Sequence, residues 1–284
     1  MLRIGPAGIP ASSRTHEEGL ERISALGLGA LEIEFVRGVR MGYEEAARIG
    51  RLARKLDIRL SAHAPYYVNL NSKDTAIVEK SKKRIVDTMR MAAALGARTV
   101  VVHAGYYSEM DPASATRVMT GRVRECRRAA DAAGCEDVVL GLETMGRRAS
   151  WGTLDEIGEV AGNVERVFPV LDFSHVHARS NGCLKSPGDF RDIIEQALRT
   201  RPPFLHCHFS GIEFGPSGER KHLDVRSASP DFSVLAPVLL EQDMDITIIC
   251  ESPLQEVDAV FMKETVEKAY AGVGRSGGRQ PGRQ

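Results

Sequence analysis

The sequence predicts an α/β fold, a single-domain (β/α)₈ TIM barrel. Short apolar runs alternate eight times with segments of helical period, the count of such a barrel. The chain has 284 residues, 43% hydrophobic and 27% charged, enough to bury one barrel-sized core. Most of the apolar runs also end in a histidine, aspartate or glutamate.

Leu2 to Gly5 is the first strand, and Thr15-His16-Glu17-Glu18 is a capping box opening a helix to about Leu26. Ala30 to Phe35 alternates with period two, and Tyr43 to Leu56 is amphipathic. Arg59 to Ala62 is the third strand, closed by His63-Ala64-Pro65 and followed by a long helix from Thr75 to Leu95. Ala97 to His103 is the fourth; Asp111-Pro112 supplies N-cap and first-turn proline of a helix ending near Ala133. Val138 to Glu143 is the fifth, with Thr153 to Glu156 capping the next helix. Phe168 to His175 is the sixth, an apolar run that carries Asp172 with His175 three residues later. Phe204 to Phe209 is the seventh, followed after a long loop by a helix around Phe232 to Leu240. Asp245 to Glu251 is the eighth, and the helix from Gln255 to Tyr270 ends the fold. The domain therefore spans 1–271, and the glycine-rich 272–284 reads as a disordered tail.

Lysine plus arginine and aspartate plus glutamate both number 38, so no global basic field points to nucleic acid. Any attraction for polyanions must be local. The five cysteines, Cys126, Cys135, Cys183, Cys207 and Cys250, form no CxxC pair, which argues against a disulfide framework and a thiolate zinc site. With no export signal and no long uncharged apolar run, the expectation is a soluble cytoplasmic monomer without a membrane partner. No GxGxxG or GxxxxGK[ST] follows the first strand, so dinucleotide and P-loop sites lack support.

In a barrel of this kind the C-terminal strand ends open onto one mouth. There the chain places Glu34, His63, His103, Glu143, Asp172 with His175, His208 and Glu251. A lone histidine closing a strand more often anchors a loop, and a lone carboxylate more often caps a helix. From His63 to Glu251, seven titratable residues on six consecutive strands exceed what capping explains, and they predict a metal centre. Imidazoles and carboxylates without cysteine suit Zn²⁺, or Mn²⁺. One ion needs three or four protein ligands, so the set calls for two or three. His206 shares a strand face with His208, but only His208 should reach the mouth.

These segments resemble endonuclease IV, the apurinic/apyrimidinic (AP) endonucleases of the xylose isomerase-like barrels. His63-Ala64-Pro65-Tyr66-Tyr67-Val68-Asn69-Leu70 is similar to the family's His-x-x-Tyr-x-x-Asn-Leu, and His103-Ala104-Gly105 to its His-Pro-Gly. Glu143-Thr144 resembles its Glu-Asn, Asp172-Phe173-Ser174-His175 its Asp-Thr-x-His, His208-Phe209-Ser210 its His-Leu-Asn, and Glu251-Ser252-Pro253 its Glu-Thr-Pro. Where the family has Asp-Arg-His, this chain has Glu219-Arg220-Lys221-His222, with one extra residue between acid and imidazole. That departure leaves Glu219 open as a ligand.

The resemblance implies a trinuclear zinc centre and incision of DNA at abasic sites. His63 and His103 would hold one ion, Asp172, His208 and Glu251 a second, with Glu143 bridging; His175 and His222, joined by Glu219 if it ligates, would hold the third. Three divalent ions against four carboxylates would leave an excess of about two positive charges to receive a phosphodiester. Glu143 and Glu251 would be the catalytic carboxylates. Tyr66, Arg40, Arg147 and Arg179 would contact DNA, with Arg148, Lys185, Arg220 and Lys221 as further mouth cations; packed tyrosine and solvated loop charge is the plainer alternative. Two rival readings are a one-metal sugar isomerase or epimerase using Glu143, Asp172, His208 and Glu251, and a non-catalytic metal- or DNA-binding barrel.

Overall fold

The computed structural model describes residues 1–276. Eight parallel strands form one sheet in the order β1 (Leu2–Pro6), β10 (Ile246–Cys250), β7 (Leu205–Phe209), β6 (Val167–Asp172), β5 (Val139–Glu143), β4 (Thr99–Val102), β3 (Arg59–His63) and β2 (Ala30–Glu34). The sheet curls until its ends meet. Gly29 N–H donates to the Ile4 carbonyl and Gly8 N–H to the Glu32 carbonyl, each at 2.9 Å, and Ala7 bridges Glu32. Gly5 permits that closure, because a Cβ there would stand 1.7 Å from the Ala30 carbonyl oxygen.

The outer ring comprises α1 (His16–Ala25), α2 (Tyr43–Lys55), α3 (Thr75–Leu95), α4 (Pro112–Asp131), α5 (Leu154–Asn163), α7 (Pro187–Leu198), α8 (Phe232–Leu240) and α9 (Glu256–Ser276). Apolar side chains between this ring and the strands form the core, among them Leu31, Ile49, Ile85, Phe190, Phe209 and Phe232, all essentially inaccessible. Local sequence starts the helices where expected. Thr153 and Glu156 form a complete capping box, and Asp111 accepts the Ser114 N–H ahead of Pro112. At Thr15 only half the box forms: Thr15 accepts from Glu18 N–H, but the Glu18 carboxylate takes Arg14 N–H.

Three features depart from the expected elements. The sixth strand stops at Asp172, and Phe173–Arg179 is a short helix, α6, that carries His175. A second helix, α7, precedes β7. The long loop after β7 contains an antiparallel hairpin, β8 (Gly211–Gly215) with β9 (Gly218–Leu223). At the C-terminus α9 extends through Ser276, and the rest of the expected tail lies outside the described residues. No helix among the described residues is long and apolar enough to cross a membrane.

Two glycines test the packing. Gly5→Ala should destabilise the barrel by about 1–3 kcal/mol or more, since backbone cannot yield to the new methyl group. Gly121→Ala, inside α4 with open space around it, should stabilise by about 0.4–1 kcal/mol. Urea denaturation midpoints moving in opposite directions would confirm this; a neutral Gly5→Ala would contradict it.

Candidate metal centre

Strand register sets the level of each side chain. Asp172 lies beside His208, and Glu34 beside His63, so strand ends far apart in sequence share one plane at the mouth. The Glu143 carboxylate occupies the middle. Its Oε2 is 3.3 Å from His63 Nε2 and 2.8 Å from His103 Nε2, while Oε1 is 3.2 Å from His175 Nδ1 and 3.3 Å from His208 Nδ1. Glu251 Oε1 closes on His208 Nδ1 at 3.1 Å.

Three groups of donor atoms follow, each compact enough to hold an ion: His63, His103 and Glu143; Glu143, Asp172, His208 and Glu251; and Asp172, His175 and His222. Asp172 has one oxygen placed for each of the two roles between which its sequence context leaves a choice. Its Oδ1 caps α6 by accepting His175 N–H at 2.7 Å, and its buried Oδ2 faces the centre with no hydrogen-bond partner. His103 Nε2, Glu143 Oε1 and both ring nitrogens of His208 also lack hydrogen-bond partners. Burying such atoms unpaired costs roughly 1–3 kcal/mol each, so the donor set fits divalent cations well.

The hairpin resolves the spacing at Glu219. Glu213 pairs with Lys221 and Phe214 with Glu219, so Arg220 is the extra residue of a β-bulge. On a regular strand, residues three apart face opposite ways. The bulge returns Glu219 and His222 to one face: Glu219 Oε2 is 3.5 Å from His175 Nε2, Oε1 is 4.0 Å from His222 Nε2, and the two imidazoles meet at 3.2 Å. Gly146 makes room, because a Cβ there would lie 2.8 Å from Glu219 Oε2.

The chain belongs to the xylose isomerase-like TIM barrel family. That family's model matches residues 20–270. Among curated relatives, the uncharacterized protein MJ0133 of Methanocaldococcus jannaschii is 33% identical, covering 92% of this chain and 96% of its own length. A probable endonuclease 4 of Mycobacterium leprae is 26% identical, covering 71% of this chain and 77% of the relative. Among solved structures, a D-tagatose 3-epimerase-like protein superimposes with TM-score 0.76 at 20% identity, covering 96% and 99% of the two chains. Endonuclease IV from Thermus thermophilus gives 0.73 at 20%, covering 95% and 99%. The xylose isomerase-like barrel is thus common to endonuclease and epimerase likenesses, and the fold alone does not choose between them.

Other mouth residues divide by what they touch. Tyr66 packs its ring on His63 and His103 and donates its hydroxyl to Glu34 Oε2 at 3.2 Å, yet stays 44% exposed. Arg147 is exposed and lines a cleft of about 380 Å³ with Tyr66, Tyr106, Glu219 and Glu251. Arg40 is exposed beside Glu34 on the β2–α2 loop, and Lys185 is exposed before α7. Arg179 departs from its expected role as a DNA contact. Its guanidinium donates to the carbonyls of Met145, Arg147, Arg148 and Ser150 and to the Tyr107 hydroxyl, so it braces the loop after β5 and has little left for a phosphate. Arg148 donates to the Arg179 carbonyl, while Arg220 and Lys221 pair with Glu213.

Sequence reasoning missed Glu32. It sits on β2 wholly buried, within reach of His206 and His208 and also of His63 and Glu251. The signal was present: Leu31, Ile33 and Phe35 face the helices, so in a closed barrel the alternating acids must face the axis. His206 stays below the mouth, as expected. Counting Glu32 as a fifth carboxylate reduces the excess charge of three divalent ions from about two to about one.

Burial penalises every charge here, and the groups answer by pairing. Although desolvation opposes it, His103 and His208 hold the Glu143 carboxyl well below the usual range, and His208 holds Glu251 down to about 2. Desolvation would also lower His63, but Glu34, Glu143 and Glu32 raise it to about 10; Asp172 and Glu143 raise His175, and Glu251, Glu32 and Glu143 raise His208. Burial pushes Glu34 up to about 7. Near neutral pH these imidazoles therefore carry protons that an incoming cation must displace. Divalent-ion affinity should rise with pH through the neutral range, up to about 10 for His63, with at least about one proton released per ion. Calorimetry in two buffers of different ionisation enthalpy reads this directly; binding without proton release would contradict it.

Proposed function

We propose that this chain is a zinc-dependent phosphodiesterase that incises DNA at abasic sites. The observation that carries the reading is the surplus of donors. Three overlapping groups share Glu143 and Asp172, whereas a one-ion enzyme needs only the four donors of Glu143, Asp172, His208 and Glu251. The sequence likeness to a probable endonuclease 4 supports the same reading.

In this reading His63 and His103 with Glu143, then Asp172, His208 and Glu251 with Glu143, then His175, His222 and Glu219 would hold ions. Bound divalent ions would supply an activated water and Lewis-acid stabilisation of a phosphodiester. Glu251, at the edge of the cleft, would take the attacking water's proton or orient that water in line with phosphorus. The P–O bond to the 3′-oxygen would break as the new bond forms, with the 3′-oxygen leaving. Arg147 meets a phosphate oxygen, and the exposed rings of Tyr66 and Tyr106 offer apolar faces to an opened duplex.

A second reading, a sugar isomerase or epimerase, is favoured by one observation: the four-donor group around Glu143 is complete by itself. The likeness to a D-tagatose 3-epimerase-like structure speaks to the shared fold.

Full-length protein incubated with a duplex carrying one abasic site should cut it, and a chelator should abolish cutting. Glu251→Gln should retain bound metal while lowering incision at least about 100-fold. Intact duplex together with epimerisation of a ketose would overturn the nuclease reading in favour of the second.

A further inference from the structure

Each imidazole of a metal centre has two nitrogens, and the partner of one decides what the other can do. Three of the mouth histidines follow one pattern. His63 Nδ1 lies 2.7 Å from the Ala64 carbonyl, His175 Nδ1 2.9 Å from the Thr144 carbonyl, and His222 Nδ1 3.1 Å from the Glu251 carbonyl. A carbonyl only accepts, so each Nδ1 carries the hydrogen and each Nε2 is left as a donor atom toward the centre.

His208 is reversed. Its Nδ1 faces Glu143 and Glu251, at 3.3 and 3.1 Å, and its Nε2 points down the barrel axis to Glu32 Oε1 at 3.1 Å. Neither Glu32 Oε1 nor His208 Nε2 has a formed hydrogen bond, and the 3.1 Å approach to each other is the contact that can satisfy both. The other oxygen, Glu32 Oε2, accepts from Ser61 Oγ at 2.7 Å and from His206 Nε2 at 3.1 Å. Glu32, Ser61, His206 and His208 are each at most 4% exposed, so water cannot substitute for any of these partners.

We infer that Glu32 is a positioning residue that accepts the Nε2 hydrogen of His208 and thereby frees Nδ1 for a divalent cation, with Ser61 and His206 fixing the Glu32 carboxylate from beneath. The inference rests on the metal reading above. It assigns a role to a buried carboxylate and a buried histidine that the mouth chemistry leaves unused. It also explains why β7 carries two inward histidines: His208 faces the ions and His206 orients the carboxylate behind it. A carboxylate accepts more strongly than a carbonyl, which makes the His208 ring the most electron-rich of the four.

The test uses the full-length protein, its Glu32→Gln variant and Ser61→Ala, each titrated with Zn²⁺ against a chromophoric chelator. Long-range ¹H–¹⁵N spectra of the histidines are recorded in the Zn²⁺-loaded state. The inference predicts His208 protonated at Nε2 and coordinated through Nδ1 in the unmodified chain. Glu32→Gln should weaken one equivalent of Zn²⁺ about 10–100-fold and shift the His208 nitrogens, and Ser61→Ala should do the same to a smaller extent. Unchanged affinity and unchanged His208 shifts in Glu32→Gln would overturn it. So would His208 coordinated through Nε2, or complete loss of one ion in Glu32→Gln with the remaining affinities intact, which would make Glu32 a ligand. If Glu32→Gln does not fold, the nitrogen assignment in the unmodified chain and the Ser61→Ala affinity decide. Failure to bind any Zn²⁺ would instead remove the metal reading itself, an outcome distinct from a metal-loaded protein indifferent to Glu32.

Discussion

The Glu143 carboxylate is the contact on which the mouth of this barrel depends. One oxygen reaches His63 and His103 and the other reaches His175 and His208, so four strand ends and a short helix are tied through one buried group. Such a charge is tolerated inside a protein only when paired, and its neighbours here are themselves titratable, with His63, His175 and His208 buried and His103 partly buried. Negative charge exceeds what the imidazoles neutralise without taking up protons. The site is therefore poised for cations, and the unpartnered atoms of Asp172, Glu143 and His208 mark where they would be accepted.

Much of this was legible in the sequence because the barrel makes it so. Once eight strands alternate with helices, a residue's place at the end of its strand fixes its place in space, and His63, His103, Glu143, Asp172, His208 and Glu251 need no tertiary information beyond that count. Glu219 was not legible, because its face depends on the bulge at Arg220, a backbone irregularity without a residue signature. Arg179 looked like a free mouth cation, yet it terminates α6 against the carbonyls of the neighbouring loop; a sequence records a charge but not its partners. Glu32 was concealed by its period-two context, in which an acid between apolar residues suggests solvent. In a barrel that face is the axis.

The substrate question turns on charge and donor number more than on fold. Endonuclease and epimerase likenesses occur on the same barrel, and their superpositions here are nearly equal in quality. In the proposed nuclease, Glu32 would lower the positive excess of a filled centre and weaken, without abolishing, its pull on a phosphodiester. The histidines outside the four-donor group weigh in the other direction: His63 and His103 on one side, and His175 and His222 on the other, have little to do in a one-ion enzyme.

Anomalous diffraction from crystals grown with Zn²⁺ tests the central claim most directly. The account predicts three peaks per chain, one between His63, His103 and Glu143, one between Asp172, His208 and Glu251, and one between His175, His222 and Glu219. A single peak, enclosed by Glu143, Asp172, His208 and Glu251 with the outer histidines left bare, would contradict it.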